Sequence, residues 1–317
     1  MKLILISMVG LWSCACADDT PIVETVLAYQ RTCGGWPKNY NRKRTLALRE
    51  REQLRKQRSR VDTTIDNGAT YTEIRLLAVA FEASEKPNYK TAVLKGVEYL
   101  LDGQLENGGW SQNFPEGRGY SREVTFNDNA MVGVMNLLKD IADKTPPFDF
   151  IPASIRDRAA SAVKRGISCI LRSQVFIDGV PTSWCAQHDR RTLAPCRGRS
   201  YELPSLSGSE SVGIVRFLMR IEKPDPNVRR AIEGAIGSKY KIDASYLSPN
   251  VNLSARLMAC FDAPDRTLDA VEAVQELLLK LVPIDPRGRI MFDFEQEDTR
   301  DELELMEAQE QEEETEE

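Results

Sequence analysis

Twice in this chain a glutamine is followed at fixed offsets by two glycines and a tryptophan. Gln30 leads to Gly34, Gly35 and Trp36, and Gln104 leads to Gly108, Gly109 and Trp110. A degraded third copy runs Gln174, Gly179, Trp184, so the glutamines stand 74 and 70 residues apart. A period of that length is one supersecondary unit, and a unit repeated three times buries its apolar face against its neighbours. Each copy follows an apolar stretch of helical period, and the glycines permit the left-handed turn that ends a helix. The motif predicts paired helices stapled by loops in an α/α barrel or toroid. On its own it gives fold and not chemistry.

The rest of the chain agrees. Apolar residues recur at helical spacing at Ile22-Val23 with Val26-Leu27, at Ile74 to Phe81, and at Ala92 to Leu101. The same holds for Met131 to Ile141, Ile155 to Leu171, Val212 to Ile221 and Leu268 to Leu281. Strand-like alternation is scarce, so the expectation is an all-α fold with long loops carrying the polar and aromatic residues. Asn41 to Arg60 departs from this pattern with nine Lys and Arg against Glu50 and Glu52. Leu46, Leu48 and Leu54 give it only a narrow apolar face. It reads as an exposed helix or linker, or as an electrostatic guide for a polyanion.

Both ends differ from the middle. A charged Met1-Lys2, an apolar run through Leu11-Trp12 and Ala15-Cys16-Ala17 have the layout of a secretory signal over residues 1–17. That run is shorter than a membrane span. Export to the periplasm or medium is expected, with Cys14 as a lipoprotein attachment site the minor alternative. Residues 295–317 carry 13 Asp and Glu against one Arg, so the formal charge of −6 conceals a body of about +6. A basic body favours an anionic partner. The acidic tail reads as a solvated extension, which leaves 18–294 as the catalytic domain. Cys33, Cys169, Cys185, Cys196 and Cys260 are odd in number and irregular in spacing, which suggests neither a disulfide framework nor a zinc site. Two readings of Cys185 and Cys196 stay open: a pair across one loop, or unpaired thiols.

Polar residues cluster in segments at helix ends. Asp66-Asn67 and Asn127-Asp128 are short oxygen-rich pairs, each just before a helix. Either alone is an ordinary helix cap. Together they offer hard oxygen ligands for Ca²⁺, without the spacing of an EF-hand, so such an ion would be shared with water or an acidic substrate. The single histidine, His188, excludes a histidine-based zinc site. No serine lies in G-x-S-x-G, and no phosphate-binding or dinucleotide fingerprint is present.

Read in order, GGWPK, TIDN-x-AT-x-x-EIR, TFND-x-AM, WCAQHD, TLAP and RSYELPSLSG-x-ESV resemble the segments of the family 10 pectate lyases, over about Val23 to Leu218. The resemblance implies a helical toroid that cleaves polygalacturonate by calcium-assisted β-elimination. It implies metal contact for Asp66 and Asp128, and the catalytic role for Arg199. Arg197 stands two residues earlier, in Cys196-Arg197-Gly198, which departs from the family pattern. Lys38, Asn67, Trp184, His188 and Tyr201 are implied as substrate contacts. The expected partner is an acidic polysaccharide bound by a secreted monomer, with no nucleic acid and no transmembrane segment.

After about Asn227 the family's closing segments are not recognisable, and Arg287 and Arg289 match only in type. The alternative is therefore a galacturonan-binding accessory protein with a lyase-like fold and impaired catalysis. Glutamine–tryptophan repeats also occur in terpene-cyclase-like toroids, but those would show a D-x-D-D cluster and a core richer in aromatics than 7%. A toroidal glycoside hydrolase would need a placed carboxylate pair.

Overall fold

The structure is a computed structural model that describes residues 20–200 and 202–237, all within one compact unit, Met1–Pro249. The signal segment, Tyr201, Cys260, the helix expected at Leu268 to Leu281, Arg287, Arg289 and the acidic tail lie outside the described residues.

Among the described residues eight α-helices follow in order: α1 Thr20–Tyr29, α2 Leu48–Lys56, α3 Tyr71–Ser84, α4 Pro87–Asp102, α5 Ala130–Ala142, α6 Ala153–Ser173, α7 Gly208–Leu218 and α8 Pro226–Gly237. Every apolar-periodic segment within the described residues is one of them. Among the described residues the remaining regular structure is three short 3-10 turns, Asp66–Gly68, Gly119–Arg122 and Asn127–Asn129, and six two-residue strands: β1 Val124–Thr125, β2 Phe176–Ile177, β3 Val180–Pro181, β4 Trp184–Cys185, β5 Gln187–His188 and β6 Leu206–Ser207. They pair antiparallel as β1 with β5, β2 with β3 and β4 with β6. This is the all-α arrangement of paired helices found in an α/α toroid. No helix among the described residues is long and apolar enough to cross a membrane.

α3 packs on α4, α5 on α6 and α7 on α8, making three consecutive hairpins. α3, α5 and α7 also meet one another in succession, as do α4, α6 and α8. α5 is the most enclosed, with Met131, Val134, Met135, Leu137, Leu138 and Ile141 all fully buried. A helix apolar on nearly every side is stable only inside a core.

The glutamine–tryptophan repeat is the seam between hairpins. Gln30 Nε2 donates to the carbonyls of Gly34 and Ala92, both at 2.9 Å. Gln104 repeats the pattern on Gly108 and Ala162 at 2.8 Å, and Gln174 on Thr182 and Ala231 at 2.7 and 2.8 Å. Trp36, Trp110 and Trp184 are buried, and each indole N–H returns to its preceding helix, at the carbonyls of Val26, Leu100 and Ile170. Each glutamine thus holds its own loop and the helix of the next hairpin at once.

The loop and that helix touch closely. Gly34 (φ +100°) lies where a Cβ would come within 2.2 Å of the Lys95 carbonyl oxygen, and Gly108 (φ +93°) stands likewise to Arg165. In the third copy Gly179 is not the counterpart. It is the turn of the β2–β3 hairpin at φ +76° with open space around it, and Thr182 occupies the stapled position. The close approach there is made by Gly234 of α8, against Pro181.

The basic segment 41–60 is a docked element and not a loose linker. Leu46 and Leu54 are buried beneath α2, while Leu48 is 83% exposed. Its backbone is tied at both ends to the α1 region, by Thr25 Oγ1 to the Arg44 carbonyl at 2.7 Å and by Thr32 N to the Arg58 carbonyl at 2.8 Å. The four cysteines among the described residues are all unpaired, Cys185 and Cys196 included.

Candidate active site

Two loops of matching shape lead into α3 and α5. In each, a threonine amide bonds the carbonyl of the seam tryptophan: Thr64 to Trp36 at 3.0 Å and Thr125 to Trp110 at 3.1 Å. The next amide, of Ile65 or Phe126, bonds the carbonyl two residues beyond the following tryptophan, Gln112 or Ala186. Both chains then turn through left-handed backbone, at Asn67 (φ +47°) and Gly68 in one, at Asp128 (φ +51°) and Asn129 in the other. Asparagine, aspartate and glycine tolerate that region better than other residues. The shared geometry brings the two 3-10 turns Asp66–Gly68 and Asn127–Asn129 into contact.

Asp66 is buried, and its Oδ2 accepts from Lys38 Nζ at 2.6 Å and from Gln112 Nε2 at 2.8 Å. Its Oδ1 receives no hydrogen bond from a described residue. Asp128 is exposed, and Asn127 Nδ2 donates to its Oδ2 at 2.8 Å. Its backbone N–H donates to Glu210 Oε1 at 3.3 Å, and the other oxygen of Glu210 accepts from Ser207. Partial desolvation raises Asp128 above the usual aspartate value, and the negative charges of Asp66 and Glu210 raise it further. Lys38 and Arg199 oppose that rise. Tyr71, at the start of α3 behind the two turns, is pushed up to about 12 by burial and by the charges of Glu73, Asp128 and Asp66.

Arg199 stands on the turn before β6. Its backbone N–H donates to Glu202 Oε2 at 2.8 Å, and its Nε lies 3.4 Å from Glu202 Oε1. Arg197 instead donates back to the Ser200 carbonyl at 3.0 Å. Of the two, Arg199 is the one whose charge acts on Asp128.

The structure therefore gathers Asp66, Asp128, Lys38 and Arg199 in one electrostatic field. Asn67 is exposed beside them, with Nδ2 donating to Asn39 Oδ1 at 3.2 Å. Trp184 and His188 do not join this surface. Both are fully buried, which corrects the expectation that they touch substrate. His188 Nε2 accepts from Cys185 N–H at 3.2 Å, so Nδ1 carries the hydrogen and donates to the Leu193 carbonyl at 2.9 Å. Burial lowers its pKa, and the ring is neutral. The two residues frame the Ala186 carbonyl, which takes the amides of Phe126 and Asn127 at 2.8 and 3.0 Å and so fixes the turn carrying Asp128. Glu210, Gln112 and Tyr71 are part of the site but were not picked out from sequence.

Among the described residues no three His, Cys, Asp or Glu side chains converge tightly enough to hold a metal by themselves. The donors nevertheless suit a hard dication. Asp66 Oδ1 is unengaged, Asp128 is under mutual repulsion that a dication would relieve, and Asn67 and Asn127 are their neighbours in the two turns.

Residues 30–247 match the family described as pectic acid lyase. Two solved structures of a family 10 polysaccharide lyase from Cellvibrio cellulosa are 35% identical to the chain, with a TM-score of 0.61. One is an aspartate-to-alanine mutant in complex with trigalacturonic acid, and the match covers 69% of this chain and 67% of that one. For the other the shares are 69% and 66%. A comparison with curated proteins gave no match.

Proposed function

Because this chain belongs to the pectic acid lyase family, we propose that it cleaves polygalacturonate by β-elimination and leaves a 4,5-unsaturated sugar at the new end. The observation that carries this reading is the meeting of Asp66 and Asp128, from two equivalent loops, with Lys38 and Arg199 in one field. Opposed charges of that kind suit an anionic sugar that brings its own carboxylate.

In this reading Asp66 and Asp128 would hold Ca²⁺, which would supply Lewis-acid polarisation of the substrate's C6 carboxylate and so acidify the C5 proton. Arg199 takes that proton. The electron pair left on C5 forms the C4–C5 double bond, the C4–O bond breaks, and the departing oxygen is protonated from solvent. A guanidinium is ordinarily protonated, so the acceptor in this reading is the minor neutral form of the Arg199 side chain. Glu202 holds the backbone and guanidinium of Arg199 in one turn, while Lys38 and Asn67 bind sugar carboxylate and hydroxyl groups. The protein acts as an exported monomer.

The test is the ultraviolet absorbance of the unsaturated product when the protein meets polygalacturonate at alkaline pH. Growth with calcium and silence with chelator are expected. Silence under both conditions, from folded protein, would overturn the reading.

A further inference from the structure

The nine cations of segment 41–60 are not part of the site at Asp66 and Asp128, and four of them are already paired. Arg42 bonds Glu73, Arg44 bonds Glu50, Arg51 lies 3.6 Å from Glu24 and Arg60 lies 3.6 Å from Asp62. Arg51, Arg55 and Arg58 follow at intervals of four and three along α2 and its end, which puts them on one face. That face borders a cleft of about 510 Å³ between α1, α2 and α4. Lys95 of α4 lines its other wall, with Asn88 and Thr91 beside it. Arg55 and Lys95 make no ion pair or hydrogen bond through their side chains to any described residue. Glu24, engaged by Arg51, is the only acidic group among the lining residues.

We propose that this cleft is a second binding site for anionic polysaccharide, separate from the catalytic one and lined by Arg51, Arg55, Arg58 and Lys95. A row of cations one helical turn apart meets a chain that carries one carboxylate per sugar ring. Exposed Asn88 and Thr91 supply hydrogen-bonding groups for hydroxyls. The Arg44 and Arg58 carbonyls anchor the segment that carries the arginines to the α1 region. None of the lining residues belongs to the cluster round Asp66 and Asp128. Polygalacturonate as the occupant rests on the lyase reading above. The site's effect is to hold polymer near the enzyme between cleavage events, so it concerns long substrate and not short.

The test is affinity electrophoresis of the full chain through gels containing polygalacturonate, with EDTA present so that polymer stays intact. Wild-type protein is expected to be retarded, and less so as salt rises. R55E/K95E is expected to bind about tenfold more weakly, yet to match wild type in its initial rate on a galacturonate trimer with calcium. E24Q, which frees Arg51, is expected to be retarded more. Retardation of R55E/K95E equal to wild type would overturn the proposal, as would tighter wild-type binding to double-stranded DNA than to polygalacturonate. If the trimer yields no unsaturated product but retardation depends on Arg55 and Lys95, the lyase reading fails and the cleft stands. If product forms and the variant binds as wild type does, the cleft alone fails.

Discussion

The ammonium of Lys38 lies 2.6 Å from Oδ2 of Asp66, a side chain that is only 5% exposed. Lys38 therefore does two things at once. It compensates a buried carboxylate, and it lowers the pKa of Asp128 against the pull of Asp66 and Glu210. Replacing Lys38 by Met should cut kcat/KM on polygalacturonate by on the order of 10²-fold, the scale of losing one preorganised charged partner. It should also move the acid limb of the pH–rate profile to higher pH, because Asp128 then holds its proton longer. An unmoved limb would remove Lys38 from the field of Asp128.

The raised pKa of Asp128 has a thermodynamic counterpart. The folded chain binds this proton more tightly than the unfolded chain does, so stability falls as pH rises from the ordinary aspartate value through the raised one. Above that window the ionised Asp128 is a destabilising group, and protonation removes the penalty. A bound dication relieves the same repulsion. Calcium should accordingly raise Tm at neutral pH, and the increment should vanish as pH falls through the titration of Asp128. In Asp128→Asn the calcium increment should be mostly lost, which thermal scans with and without chelator would reveal.

His188 offers a test with a clean readout, since it is the only histidine in the chain. Its pKa is lowered by burial, so the unfolded chain takes up the imidazole proton more readily than the folded one. The stability contributed by the neutral ring is complete above pH 6.5 and declines as pH falls below it toward the depressed folded value. The single imidazole signal in an NMR titration should keep its neutral Nδ1–H form at pH values below 6.5. His188→Phe should cost about 2 kcal/mol in urea unfolding, by leaving the Cys185 amide and the Leu193 carbonyl without partners.

At the seam, Gln104→Ala removes two hydrogen bonds to carbonyls of different elements. The expected loss is about 2 kcal/mol, read from the denaturant midpoint with little change in KM. Gly108→Ala should be worse, because its φ of +93° and the Arg165 carbonyl both exclude a Cβ. About 3 kcal/mol is expected from strain and overlap combined. A Gly108→Ala variant as stable as wild type would mean that the loop and α6 can separate without penalty.

The helices were legible in the sequence because each buries one face, and burial imposes a period of 3.6 on apolar residues. The segment 41–60 is harder to read, since only Leu46, before α2, and Leu54, within it, go inside and the surrounding charge hides them. Asp66 and Asp128 could be found because their loops are short polar words just before helices. Trp184 and His188 were misread for a reason internal to such words: an aromatic or polar residue beside a cleft looks the same whether it faces substrate or staples the loop. The repeat held the clue, as Trp184 is the third of three tryptophans with one buried role. Glu210 and Gln112 reach the site across 82 and 46 residues. Nothing local in sequence marks such a meeting.

The third copy of the seam shows what the repeat asks of the chain. In the first two copies the residue lacking a side chain sits on the loop, at Gly34 and Gly108, and the helix supplies the carbonyl. In the third, the loop supplies Pro181 and the helix supplies Gly234. The requirement is for one missing Cβ per crossing, and either side of the crossing can provide it. A Cβ at Gly234 would meet the Pro181 ring at 2.6 Å and the Pro181 carbonyl oxygen at 2.8 Å, so trimming the ring would relieve only part of the overlap, whereas at Gly34 and Gly108 the nearest obstacle is a main-chain carbonyl at 2.2 Å. Main chain thus closes every joint of the seam, and at the third a side chain closes it as well.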